Sequence, residues 1–136
     1  MKKIDTINRI SEAFYRVYNT LGYGFARDIY LRAFMVELDC MHIEYRIDHA
    51  LNVYYEGIIV GTYDTDLVIN NRIIVSIKAD PFLADADEYG IENAVLATCC
   101  EAGILLNFGT APEMCRKMGE GRDMRHGEEV PYSVCA

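Results

Sequence analysis

Apolar residues recur at three- and four-residue steps near the start of the chain: Ile7, Ile10, Phe14, Val17, Tyr18 and Leu21. That spacing lines one face of a helix and predicts an α-helix over 5–20, with Asp5 as its N-cap. Leu21-Gly22-Tyr23-Gly24 then breaks the helix, because two glycines in three residues favour a turn. A second helix is predicted over about 25–39. Its apolar stripe of Phe25, Ile29, Tyr30, Ala33, Phe34, Val36 and Leu38 is wide enough to lie on a sheet. After Cys40 the period shortens. Residues 43–55 and 58–69 carry β-branched and aromatic residues and read as two strands joined by Glu56-Gly57. Asn70-Asn71 makes a tight turn into a third strand, 72–79, whose near-continuous apolar run marks burial on both faces. An acidic loop over 80–90 precedes a helix at about 88–101. GILLNFG at 103–109 is too short for a helix and reads as a buried strand.

The resulting order is α-α-β-β-β-α-β: an antiparallel meander plus a crossover strand parallel to the third, flanked by helices. Residues 1–109 are expected to form the single domain. Residues 110–136 lose periodicity and read as a C-terminal extension, in which EMCRKM can make a helical turn or two.

With 136 residues, 51% hydrophobic and 25% charged, the chain has ordinary globular composition. Thirteen basic residues face twenty-one acidic ones, for a net charge of −8. A field of that sign repels phosphate backbones, so nucleic acid is a disfavoured partner without a local basic patch. No run approaches the roughly 18 apolar residues of a membrane span, and the opening segment is not a signal peptide. The five cysteines form no CxxC pair and are expected to be reduced, in the cytoplasm. His42, His49 and His126 have no ligand spacing, and nothing marks Cys115 or Cys135 as reactive thiols. The acidic segment Asp80 to Glu88 lacks the central glycine of a calcium loop.

The informative stretch is Tyr63-Asp64-Thr65-Asp66, the Asn-Asn turn, and Ser76-Ile77-Lys78. Strand positions n and n+2 share a face, so residues 76 and 78 project together beside an aspartate from the neighbouring strand. The chain resembles the GxxExxY group of the PD-(D/E)xK nuclease superfamily. The likeness covers about residues 5–109. It runs through Leu21-Gly22-Tyr23-Gly24 to Ile29-Tyr30, Val53-Tyr54-Tyr55-Glu56-Gly57, and Val60-Gly61-Thr62-Tyr63 to Asp66-Leu67-Val68. It continues through Ile73-Ile74-Val75, Lys78-Ala79 and Gly103 to Gly109. The resemblance implies a restriction-endonuclease-like α/β core. In such a site carboxylates hold Mg2+, the ion polarises a phosphate and helps ionise water, and a lysine steadies the developing charge.

Asp66 and Lys78 match the catalytic positions that the resemblance implies. Three other positions depart from them. Arg27 stands where a glutamate is expected, Ser76 where an acidic residue two before the lysine is expected, and Gly90 where a glutamine is usual on the following helix. One carboxylate then shares the site with two cations. A divalent ion that sheds water reluctantly finds too few charged oxygens there. Arg27 is instead expected to clamp Asp66 as an ion pair. Asp28 points about 100° away around the helix and is a poor replacement for the missing glutamate.

The expected function is therefore a nuclease fold without Mg2+-dependent cleavage and without a cofactor, acting as a binding or structural module toward a partner protein or itself. Two alternatives stand beside it. One is an active metal-dependent nuclease with Mg2+ on Asp66, using Lys78 and carboxylates imported from Asp64, Asp80 or a partner chain. The other is a nucleic-acid binder that contacts phosphate through Arg27 and Lys78 without cutting. The aromatic strand over 43–55 is a candidate edge for self-association.

Overall fold

A computed structural model of the chain describes residues 3–47 and 50–119. Helix α1 (Lys3–Leu21) and helix α2 (Arg27–Cys40) come first, joined by a turn in which Gly22 and Gly24 take positive φ. Strands β1 (Tyr45–Ile47), β2 (Ala50–Tyr55), β3 (Ile58–Asp64), β4 (Leu67–Ile69) and β5 (Ile73–Lys78) follow. Helix α3 (Asp85–Thr98) leads to β6 (Ala102–Phe108) and β7 (Pro112–Met118). The main sheet has the order β1-β4-β5-β6-β7, with β5 and β6 parallel and the other pairs antiparallel; β2 and β3 form a separate ribbon.

The period-two alternation of β5 and β6 builds three layers. Ile73, Val75 and Ile77 of β5, with Ile104, Leu106 and Phe108 of β6, pack toward α1 and α2. Ile74 and Leu105 pack the other way, against Ile91, Ala94 and Val95 of α3. Every residue of β6 is buried, as a strand covered on both faces requires. Phe108 stacks on Tyr30 at 4.4 Å and meets Phe14 edge-on at 4.9 Å, tying both first helices to the sheet. At Gly103 an added Cβ would lie 2.4 Å from a Val95 methyl, so the bare backbone is what lets α3 come close.

The expected mixed sheet and parallel crossover are present, with three corrections. Residues 43–55 and 58–69 do not form two uninterrupted strands. They keep one antiparallel register, with Tyr45 opposite Ile69 and Ala50 opposite Asp64, until a bulge at Val53/Tyr54. The ladder is interrupted at Thr65 and Asp66, which splits it into β1–β4 in the main sheet and β2–β3 outside it. Second, EMCRKM is not helical. It lies in β7, which pairs with β6 from Phe108–Pro112 to Ala102–Met118, so the sheet continues past the expected boundary at 109. A short connection returns the chain antiparallel and covers the open edge of a strand too buried to lack a partner. Third, α3 starts at Asp85 rather than about 88. Asp85, Asp87 and Glu88 sit in its first turn, where the helix dipole favours negative charge.

Cys40, Cys100 and Cys115 are free thiols. Burial first, and then the Glu88 carboxylate beside it, pushes the Cys115 thiol up; burial does the same to Cys100. His49, His126, Cys135 and the chain after Gly119 lie outside the described residues. No helix among the described residues is long and apolar enough to cross a membrane.

The Asn70-Asn71 turn adopts φ of 53° and 59°, a region that asparagine tolerates and β-branched residues avoid. Asn71→Val is expected to cost about 1 kcal/mol in urea unfolding, and Asn71→Gly close to nothing.

Candidate functional site

The interruption between β3 and β4 places Asp66. Continuing the β4–β5 register by one step sets Asp66 opposite Ser76. The ladder stops there, and the Asp66 carboxylate turns back to accept a hydrogen bond from the Ile77 N–H at 2.8 Å. Arg27 reaches the same point from the first turn of α2. Its Nη2 donates to the other Asp66 oxygen, its Nε donates to the Ile77 carbonyl at 2.9 Å, and its Nη1 lies 3.2 Å from Asp28. One guanidinium thus closes a ring through a carboxylate and both polar groups of one β5 residue. The side chain of Asp66 is 25% exposed and that of Arg27 39%, so the pair is half shielded from water. Asp28, at 81% exposed, touches Arg27 from the solvent side, in keeping with its expected orientation.

Lys78 projects from the same face of β5 as Ser76 but pairs away from Asp66. Its ammonium lies 3.2 Å from Asp87 and 3.5 Å from Asp80. Burial pulls the Lys78 ammonium down, and the hydrogen bonds and charges of Asp87 and Asp80 outweigh it, leaving it above the ordinary lysine value. Asp87 is held below the usual carboxylate range, first by the Ala84 N–H that it accepts at 3.0 Å, against burial, and then by Lys78. A lysine held charged in this way does not serve as a proton acceptor near neutral pH.

These groups border a cleft of about 350 Å3 between the end of β5 and α3. Arg27, Asp66, Ser76, Lys78 and Gly90 all line it, so the fold gathers all five of the positions singled out from the sequence. Gly90 leaves open space, since nothing lies within 4 Å of a Cβ added there. Asp87 was missed as the partner of Lys78. The contact between Lys78 and Asp87 depends on the crossover setting the first turn of α3 over the end of β5. The only local signal was an acidic residue three positions after Ala84, and Ala84 offers no side-chain oxygen to complete a capping box. The expected alternative donors are placed poorly: Asp64 is exposed on β3, and Asp80 pairs with Lys78.

A divalent ion of the kind the resemblance implies does not fit this donor set. Both oxygens of Asp66 and the Ile77 carbonyl, the hard oxygens nearest one another, already accept hydrogen bonds, two of them from a fixed cation. Among the described residues, no group of three His, Cys, Asp or Glu side chains is gathered to hold a metal. Nor does any buried side-chain nitrogen or oxygen among them lack a partner, so the cleft floor leaves no polar group unsatisfied.

The depressed Asp87 supplies a pH prediction. Its folded value lies below its unfolded one, so its contribution is present above the unfolded carboxylate range and is lost as pH falls through the folded value. Lys78 is shifted upward, so its contribution is complete below the unfolded lysine value and is lost as pH rises through the folded value. Asp87→Asn is therefore expected to flatten the acid limb of stability against pH, read by thermal melting in a buffer series.

A family profile described as the PD-(D/E)XK nuclease superfamily matches residues 4–118. No curated protein and no solved structure matches the chain. The match spans most of the 136 residues and ends on β7, the last strand of the sheet. The mixed sheet flanked by helices agrees with that match, and the chain belongs to the PD-(D/E)XK nuclease superfamily.

Proposed function

We propose that this chain is a catalytically degenerate member of the superfamily, of the GxxExxY group, acting as a binding or structural module without Mg2+-dependent cleavage. The observation that carries the reading is the Arg27 guanidinium bound to Asp66 and to the Ile77 carbonyl. A tethered cation holds the oxygens that a divalent ion would need, and Ser76 supplies only a neutral hydroxyl beside them. The placement of the group rests on the Gly24, Val53–Gly57 and Gly103–Gly109 stretches, which follow its pattern in order. The site keeps the scaffold and loses the chemistry, and a fold shared with nucleases does not by itself confer cleavage.

Lys78 supports the same reading. Engaged by two carboxylates, it is not directed at Asp66, where a phosphate would be attacked. The net charge of −8 keeps nucleic acid disfavoured as a ligand, so a protein partner or a second copy is the class of partner proposed. The test is calorimetric titration with Mg2+ and Mn2+, alongside incubation with single- and double-stranded DNA and RNA. The expected result is no heat of binding at millimolar metal and no cleavage. Saturable metal binding that Asp66→Asn abolishes, together with product formation, would overturn the proposal. A salt-dependent mobility shift without cleavage would instead establish a non-cleaving nucleic-acid binder.

A further inference from the structure

The β2–β3 ribbon stands outside the main sheet and is anchored on its inner face by Leu51 and Tyr63 against the core beneath α3. Among the described residues β3 pairs only with β2, so its other edge presents a row of unpaired backbone groups. A two-stranded ribbon is marginal in water without a third strand or a larger packing face. The apolar residues at its outer end are not buried: Ile58, Ile59 and Val60 are 65%, 56% and 61% exposed.

The geometry points to this edge as a homodimer interface, in which β3 pairs antiparallel with β3 of a second copy about Gly61. The inference concerns the outer edge of the ribbon, which meets the cleft only at Tyr63, and it stands whether or not the cleft binds metal. Three features select a second copy as the occupant. First, Gly57 to Tyr63 carries no charge in a chain that is 25% charged with a net −8, so two copies meet there with the least like-charge repulsion. Second, the strand is self-complementary. Gly61 is the midpoint of Ile58–Asp64, and a two-fold axis there sets Ile59 opposite the partner's Tyr63 and Val60 opposite the partner's Thr62. Aromatic against β-branched and β-branched against threonine are favourable cross-strand neighbours. Third, Gly61 puts no side chain beside that axis, so the symmetry-related pair there brings no two side chains against each other. Three aliphatic side chains and one strand edge fall short of the about 800 Å2 per partner of a standard interface, so the dimer is reversible and concentration-dependent.

The test is sedimentation velocity on the full chain from micromolar to near-millimolar concentration, with a cross-linking variant beside it. The wild-type chain is expected to shift from monomer to dimer across that range. Val60→Lys, at an exposed position, is expected to remain monomeric with an unchanged melting temperature. In a Cys40→Ser background, Gly61→Cys is expected to give a disulfide dimer under mild oxidant, because facing residues at the axis have Cα atoms about 4.5–5.5 Å apart, within disulfide reach. Val36→Cys, exposed on α2, is expected to remain uncross-linked. A chain monomeric throughout, a dimer indifferent to Val60→Lys, or equal cross-linking of the two cysteine variants would overturn the inference.

Discussion

The double variant Arg27→Glu/Ser76→Glu is expected to bind Mn2+ at least tenfold more tightly than the unaltered chain, measured by calorimetry. The reason is electrostatic. Arg27 now competes for the oxygens of Asp66 and Ile77, and its removal frees them. Glutamate at position 76 adds a charged donor on the face of β5 that borders the cleft, at the position facing Asp66 in the strand register. Glutamate at position 27 adds another from the first turn of α2. The helix supports that change: a cation in a first turn opposes the macrodipole and an anion complements it, a difference of roughly 0.3–1 kcal/mol. Arg27 therefore occupies its position against the helix's own preference, balanced by Asp66 and Asp28. Ser76→Glu alone is expected to gain much less, because the new carboxylate pairs with the arginine. A double variant that folds, as judged by its melting curve, yet shows no heat with Mn2+ would show that these positions do not converge as the cleft geometry requires.

How much of this was legible in the sequence follows from which physical signals are local. The two opening helices, the Asn-Asn turn, the buried β5 and β6 and their parallel pairing all follow from periodicity. Apart from Ser76 and Asn107, Ile73 to Ile77 and Ala102 to Phe108 are apolar on both faces because helices cover both faces. β7 was not legible. Glu113, Arg116 and Lys117 give an edge strand no apolar alternation, and the segment is a strand because β6 needs a partner, a demand that lies elsewhere in the chain. The break at Thr65 and Asp66 was hidden for a related reason. Residues on either side keep one register, so the sequence reads as continuous strand, while the pairing is given up where Asp66 turns to the Ile77 N–H.

The site divides the same way. The pairing of Arg27 with Asp66 was legible as a charge replaced by its opposite, once the chain's likeness to a family supplied what the position ought to hold. Spacing alone would not have joined residues so far apart in the chain. The partners of Lys78 were not legible, because Asp87 was read as part of a solvated loop. Helix α3 begins early enough to bring that carboxylate to within 3.2 Å of the ammonium. The lysine therefore braces a helix against the sheet, and the walls of the cleft that groups the five positions are tied together by charges its own residues supply.

If the clamp is now structural, removing one half of it must cost more than removing both. Arg27→Ala is expected to destabilise the fold by roughly 2–3 kcal/mol in urea unfolding. It strips the cation from a carboxylate that is only 25% exposed and leaves the Ile77 carbonyl without its donor. That figure is set below the 3–5 kcal/mol found for fully buried pairs, because both partners retain some access to water. Arg27→Met with Asp66→Leu is expected to cost less than Arg27→Ala alone. No charge is then stranded, and two apolar side chains of similar reach fill the space, at the remaining expense of an Ile77 N–H without its acceptor. The double-mutant cycle reads the coupling directly. A coupling near zero, with the two single changes adding, would mean that solvent already satisfies Asp66 and that Arg27 holds nothing in place. A large coupling means that the guanidinium of Arg27 and the carboxylate of Asp66 together carry part of the stability of the sheet, by tying the first turn of α2 to β5.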